Sequence, residues 1–252
     1  MDNIISPELA EVVKKYSRFF EEVRRRILFT FIFFIVAAFL GFIFYEQIVR
    51  FLIVSLSLEK INIVFTSPFQ FINLAIGCGV VTGLVAVVPL IIFQILAFLR
   101  PALKAKEFRA TLRFLPFSIF LFIFGFVFGI LVMKWQIGLF LEKAAALNIG
   151  NILDISGILN TTLLIGAIMG IAFQLPVILL LLLNVGVLSR KQLTSKRPWV
   201  YLGSFIFTMF LPIDSVLADL FLALPMIILF EITLFLNLIS KNNLKSILKL
   251  GH

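Results

Sequence analysis

Two glutamates stand in the most basic parts of this chain. Glu22 opens E-V-R-R-R at 22–26, and Glu107 closes P-A-L-K-A-K-E at 101–107, with Arg109 two residues on. A carboxylate can accept a guanidinium through two parallel N–H···O bonds, so two such acids can grip a pair of arginines with orientation as well as charge. A plainer reading has each acid offset the cations beside it, and spacing alone leaves both open. Gln94, Gln174 and Glu231 fall inside long apolar runs. A polar group there is costly and turns toward protein or water. The glutamines can join helices or meet a partner helix, and Glu231 can make a structural hydrogen bond or serve transport. Asp219, nearer the end of its run, reads as structural.

Nothing in the chain has the form of an enzyme site. His252 is the only histidine and Cys78, in an apolar run, the only cysteine. No H-E-x-x-H pair and no phosphate-binding glycine loop occurs. No metal, cofactor or catalytic residue is therefore expected.

The elements that must hold these residues are membrane spans. Of 252 residues, 62% are hydrophobic and only 14% charged, against about half and a quarter in a soluble domain. Six apolar segments can be drawn, near 27–45, 71–99, 114–133, 158–187, 199–211 and 216–239. Helices are the form that satisfies backbone groups in a bilayer, so the fold class is all-α and polytopic. The fifth segment is short and leads through Leu211-Pro212-Ile213-Asp214-Ser215, a tight turn with Asp214 placed to cap the next helix, so the last two helices are expected to form a short hairpin. Pro89, Pro116, Pro176 and Pro225 each remove a helix hydrogen bond and favour a curved wall. Gly125 and Gly129 in F-G-F-V-F-G read as a small-residue contact for internal packing.

Charge assigns the sides. Eighteen of the 22 basic residues lie in the N-terminal segment, the 100–113 connection, the 190–197 connection and the tail. This sorting places both termini in the cytoplasm and explains the net charge of +9 without nucleic acid. Residues 1–26 form a cytoplasmic amphipathic segment, capped at Ser6-Pro7. Residues 27–239 form the transmembrane domain, and 240–252 a cytoplasmic tail. No targeting segment is visible, which favours a prokaryotic cell membrane over an organelle.

In order along the chain, E-V-R-R-R at 22–26, S-P-F-Q-F at 67–71, P-L-I-I-F-Q-I-L-A-F-L-R-P-A-L-K-A-K-E at 89–107, I-F-G-F-V-F-G at 123–129, F-Q-L-P-V at 173–177, K-R-P-W-V at 196–200, L-P-I-D at 211–214 and A-L-P-M-I-I-L-F-E at 223–231 resemble the TatC family, the multi-spanning core of the twin-arginine protein translocase. The resemblance implies six spans in a cup-like bundle, N-in and C-in. It implies recognition of twin-arginine signal peptides of folded cargo at the cytoplasmic face, with Glu22, Glu107, Arg24 and Arg26 as the signal-peptide-binding residues. It also implies single-span TatA- and TatB-type partners, self-association in a receptor complex, and transport driven by the proton-motive force. Glu231 matches the glutamate of the proline-containing sixth span, and Pro212 and Asp214 the last outer turn. Phe19 stands where relatives often have histidine, and Gln174 replaces a frequent glutamate, so neither position can titrate. Trp135 and Leu96 also depart from the family pattern. A solute transporter would instead show a closed polar pocket at mid-membrane, and a passive assembly factor would need no peptide contact.

Overall fold

The computed structural model describes residues 7–60, 63–64, 67–99, 114–147, 153–213 and 215–249. Glu107, Asp214 and the expected cap Ser6 lie outside them.

Helix α1 (Pro7–Ile43) is continuous from the basic segment through the first apolar run, with Pro7 at a position where a missing N–H breaks nothing. Its 37 residues extend about 55 Å, well beyond a hydrocarbon core of about 30 Å. A short helix α2 (Tyr45–Ser55) follows, then a 3-10 turn at Leu58–Lys60 and strand β1 (Ile63–Val64). Helix α3 (Gln70–Leu99) returns and α4 (Phe114–Ala146) crosses again. Strand β2 (Leu153–Asp154) pairs in parallel with β1, Ile63 against Leu153 and Val64 against Asp154. Then come α5 (Ile155–Ala172), α6 (Leu175–Val185), α7 (Arg190–Ser195), α8 (Arg197–Met209) and α9 (Val216–Lys249).

Among the described residues the fold is all-α apart from those two short strands. Among the described residues, five segments are long and apolar enough to cross a membrane: Phe20–Ile43, Gln70–Ala97, Leu115–Ala146, Ile155–Asn184 and Val216–Ile239. The best window of the α5–α6 segment is 61% buried and that of α1 only 11%, so α5–α6 is the centre of the bundle and α1 its edge. Phe31, Phe33 and Phe39 of α1 are accordingly exposed, as a lipid-facing surface must be.

Several expectations are corrected. The last helix is not short: α9 runs 34 residues, through the region assigned to a tail, whereas α8 has 13. The fourth apolar run is two helices rather than one, parted at Phe173-Gln174, where Pro176 sits in the first turn of α6. Pro116 interrupts nothing, standing third in α4, while Pro89 and Pro225 lie inside α3 and α9.

Close helix crossings are made by glycine. A Cβ on Gly125 would come within 2.7 Å of the Met169 carbonyl oxygen, and one on Gly129 within 2.9 Å of Gly166 Cα. From the other side, Gly166 and Gly170 receive the rings of Phe126 and Phe122. The small-residue contact is thus internal, with a second small-xxx-small pair on α5 facing the first. At the end opposite the basic segments, Leu52, Leu56 and Leu58 pack with Leu74, Cys78, Leu159 and Leu163. There α3 and α5 are also tied by Gln70 Nε2 donating to Asp154 (3.1 Å) and Ser156 Oγ donating to the Gln70 carbonyl (3.1 Å).

Candidate functional site

Three polar clusters hold most of the residues singled out from sequence. The first is at the basic end of α1. Glu22 and Arg26 are one helical turn apart and so share a face. Arg26 donates to a single carboxylate oxygen, Glu22 Oε1, from Nε at 3.1 Å and from Nη2 at 2.5 Å. Its Nη1 donates to the Gln94 backbone carbonyl of α3 at 3.0 Å. One turn further on, Thr30 Oγ lies 3.0 Å from Gln94 Oε1 and 2.8 Å from the Arg26 carbonyl. Glu22 and Arg26, nominated together, and Gln94, nominated apart from them, thus form one constellation, and Thr30 is the member sequence reasoning missed. Arg24 is exposed beside it. An apolar groove of about 440 Å³, lined by Ile27, Thr30, Phe31, Phe34, Val87 and Gln94 among others, runs from this cluster between α1 and α3.

The second cluster is at the break between α5 and α6. The Gln174 amide nitrogen bonds to the Ile171 carbonyl, a tight turn that passes over Gly170. The Gln174 side chain donates to that Gly170 carbonyl (3.3 Å) and to the Ser118 carbonyl (3.2 Å), and accepts from Ser118 Oγ (2.6 Å). Gln174 and Ser118 are both buried. Gln174 therefore seals a helix break and joins it to α4, its amide committed inside the bundle. Ser118 is not suggested by any sequence signal.

The third cluster joins α8 to α9. Glu231 lies about four turns into α9, back toward the basic end. It accepts from Arg197 Nη2 at 2.7 Å and from Tyr201 Oη at 2.5 Å. Arg197 and Tyr201 share a face of α8 by their four-residue spacing, a signal present in the sequence and not used. At the far end, Pro212 is exposed and lines a cavity of about 460 Å³ with Gln136, Lys143 and Ser215. Asp219 is buried, with Oδ1 unpaired among the described residues. No group of His, Cys, Asp and Glu among the described residues has the form of a metal site.

Four long apolar segments around a broken central one, with polar groups paired at helix ends and breaks among the described residues, define a polytopic helical membrane protein. The family model for Sec-independent protein translocase protein (TatC) matches residues 18–225. The TatC protein of Listeria innocua is 28% identical over 230 residues, 90% of this chain and 92% of that protein. That of Aquifex aeolicus is 27% identical over 235 residues, 90% of this chain and 96% of its own length. A crystal structure of a twin-arginine translocase receptor, TatC, superposes with a TM-score of 0.76 at 25% identity, covering 88% of this chain and 99% of that one.

The chain belongs to the TatC family, and its function is that of a non-catalytic subunit of the twin-arginine, Sec-independent protein translocase. The family resides in the bacterial inner membrane and works with TatA and TatB subunits.

Proposed function

We propose that this chain is the signal-peptide receptor of its translocase, taking the consecutive arginines of a twin-arginine signal peptide on Glu22 and Glu107 at the cytoplasmic face. The observation that carries the reading is the setting of Glu22: an exposed carboxylate at the basic end of α1, held by Arg26 to α3, above an apolar groove. A signal peptide has a cationic start followed by an apolar stretch, and that order of chemistry matches acid first and groove second. Gln174 works within the bundle, and the Arg197–Tyr201–Glu231 cluster closes α8 on α9.

The same reading includes α8 as a sixth, short span in a cup-like bundle. Both termini are cytoplasmic, and segments 1–26 and 240–252 flank the transmembrane domain on that side. TatA- and TatB-type single-span subunits and further copies of the chain are its partners, membrane lipid surrounds it, and the proton-motive force drives export of folded cargo. Thiol labelling of single-cysteine variants in intact cells reads the side of residues 22 and 107. Both should label only from the cytoplasm, and opposite sides would end the reading.

The binding test uses the full chain in nanodiscs with a synthetic twin-arginine signal peptide and its twin-lysine counterpart. Glu22→Gln and Glu107→Gln are each expected to weaken the arginine peptide about ten-fold, and the lysine peptide less, because only a guanidinium brings a planar pair of N–H donors to one carboxylate. The double variant should lose less than the sum of the two, since both acids serve one ligand. Equal weakening of both peptides, or none, rejects the assignment.

A further inference from the structure

Arg26 occupies the carboxylate that the proposed function assigns to the peptide, and it does so in an uneven way. Both of its contacts to Glu22 end on Oε1. That oxygen has two in-plane lone pairs, so both are spent. Glu22 Oε2 has no hydrogen-bond partner among the described residues. The hold is also anchored from behind, because the same guanidinium donates to the Gln94 carbonyl of α3, 68 residues away in sequence. A lysine at position 26 would keep the charge, but an ammonium is a point donor and does not make the planar two-contact hold together with the third contact at the helix carbonyl.

From this geometry we infer that Arg26 is a positioning residue for arginine selectivity. It fixes the rotation of the Glu22 carboxylate and leaves Oε2 alone presented to the incoming guanidinium. The inference rests on the receptor reading above and deepens it. Arg26 does not touch the peptide; it determines which oxygen, at which angle, the peptide meets. A carboxylate free to rotate serves an ammonium and a guanidinium nearly alike, whereas a fixed oxygen with two open lone pairs favours a planar donor that can place two N–H groups on it.

The test measures the affinity ratio between twin-arginine and twin-lysine signal peptides, using the full chain in nanodiscs. Arg26→Lys and Arg26→Gln are both expected to lower the ratio several-fold, roughly to the level of Glu22→Gln, because orientation rather than charge is lost. In the Glu22→Gln background, Arg26→Lys should leave the ratio where it is, since nothing remains to position. A purely structural role for Arg26 would instead lower binding of both peptides together and persist without Glu22. A wild-type ratio near one overturns the receptor reading itself. A wild-type preference that survives in both Arg26 variants, or an Arg26→Gln protein that binds the arginine peptide more tightly with its preference intact, overturns this inference alone.

Discussion

Valine in place of Gly129 is expected to leave little folded protein. At this position a Cβ would meet Gly166 Cα at 2.9 Å, the Ile165 carbonyl oxygen at 3.0 Å and the Gly166 amide nitrogen at 3.1 Å. All three are backbone atoms of α5, so no side chain can rotate away. The two helices must separate along the whole crossing, which also carries Gly125, Gly166 and Gly170. Overpacking of a well-filled interior costs about 1–3 kcal/mol and occasionally more; with backbone as the obstacle, the upper end or beyond applies. Association between helices in lipid rests on such close packing, because lipid tails are as apolar as the side chains. The measurement is the yield of monodisperse protein in detergent, with the thermal midpoint of whatever survives. Gly138, in the same helix, has nothing within 4 Å of an added Cβ, so Gly138→Ala should be neutral or mildly stabilising through helix propensity. If Gly129→Val and Gly138→Ala behave alike, the crossing does not have the described geometry.

Gln174→Leu is expected to destabilise the bundle by roughly 3 kcal/mol, since it strips partners from buried groups that each cost about 1–3 kcal/mol when left unmade. Leucine has nearly the same volume, so no cavity is created. It leaves the Ser118 hydroxyl without its acceptor and the Gly170 carbonyl without the donor that covers the helix break. A partial rescue distinguishes this account from generic core disruption. Ser118→Ala added to Gln174→Leu removes one orphaned group and should recover part of the loss, so the double variant is more stable than Gln174→Leu alone. Unfolding midpoints in one detergent, compared across the four proteins of the cycle, read the sign directly. Additive losses would show that the two side chains do not share a bond.

Much of the site is visible in the sequence as residue type, and little of it as pairing. Glu22 and Arg26 are four apart on a helix, so their contact follows from helical geometry. Arg197 and Tyr201 have the same spacing, and their convergence on Glu231 could have been suspected once α8 and α9 were drawn as a hairpin. Gln94 and Gln174 stand out because amides are rare in apolar runs, yet one meets Thr30 and Arg26 and the other meets Ser118. Nothing local separates those outcomes. The break at Gln174 is announced by Pro176, whereas Pro89 and Pro225 carry the same signal with the helix continuing around them. Strands β1 and β2 have two residues each, too short for any alternation to show, and each exists because the other lies beside it.

What this chain's sequence determined alone is its solvent and its likeness. Apolar length is a sum over windows of neighbouring residues, so it needs no tertiary information, and ordered motifs along the chain point to the TatC family by themselves. Only the folded molecule decided which polar atoms meet. The contact from Arg26 to Gln94 spans 68 positions, Ser118 to Gln174 56, and Arg197 to Glu231 34. In an apolar bundle a polar group must find whatever partner the packing of the helices brings within about 3 Å, and that packing is set by glycine crossings and helix breaks whose partners lie far away along the chain.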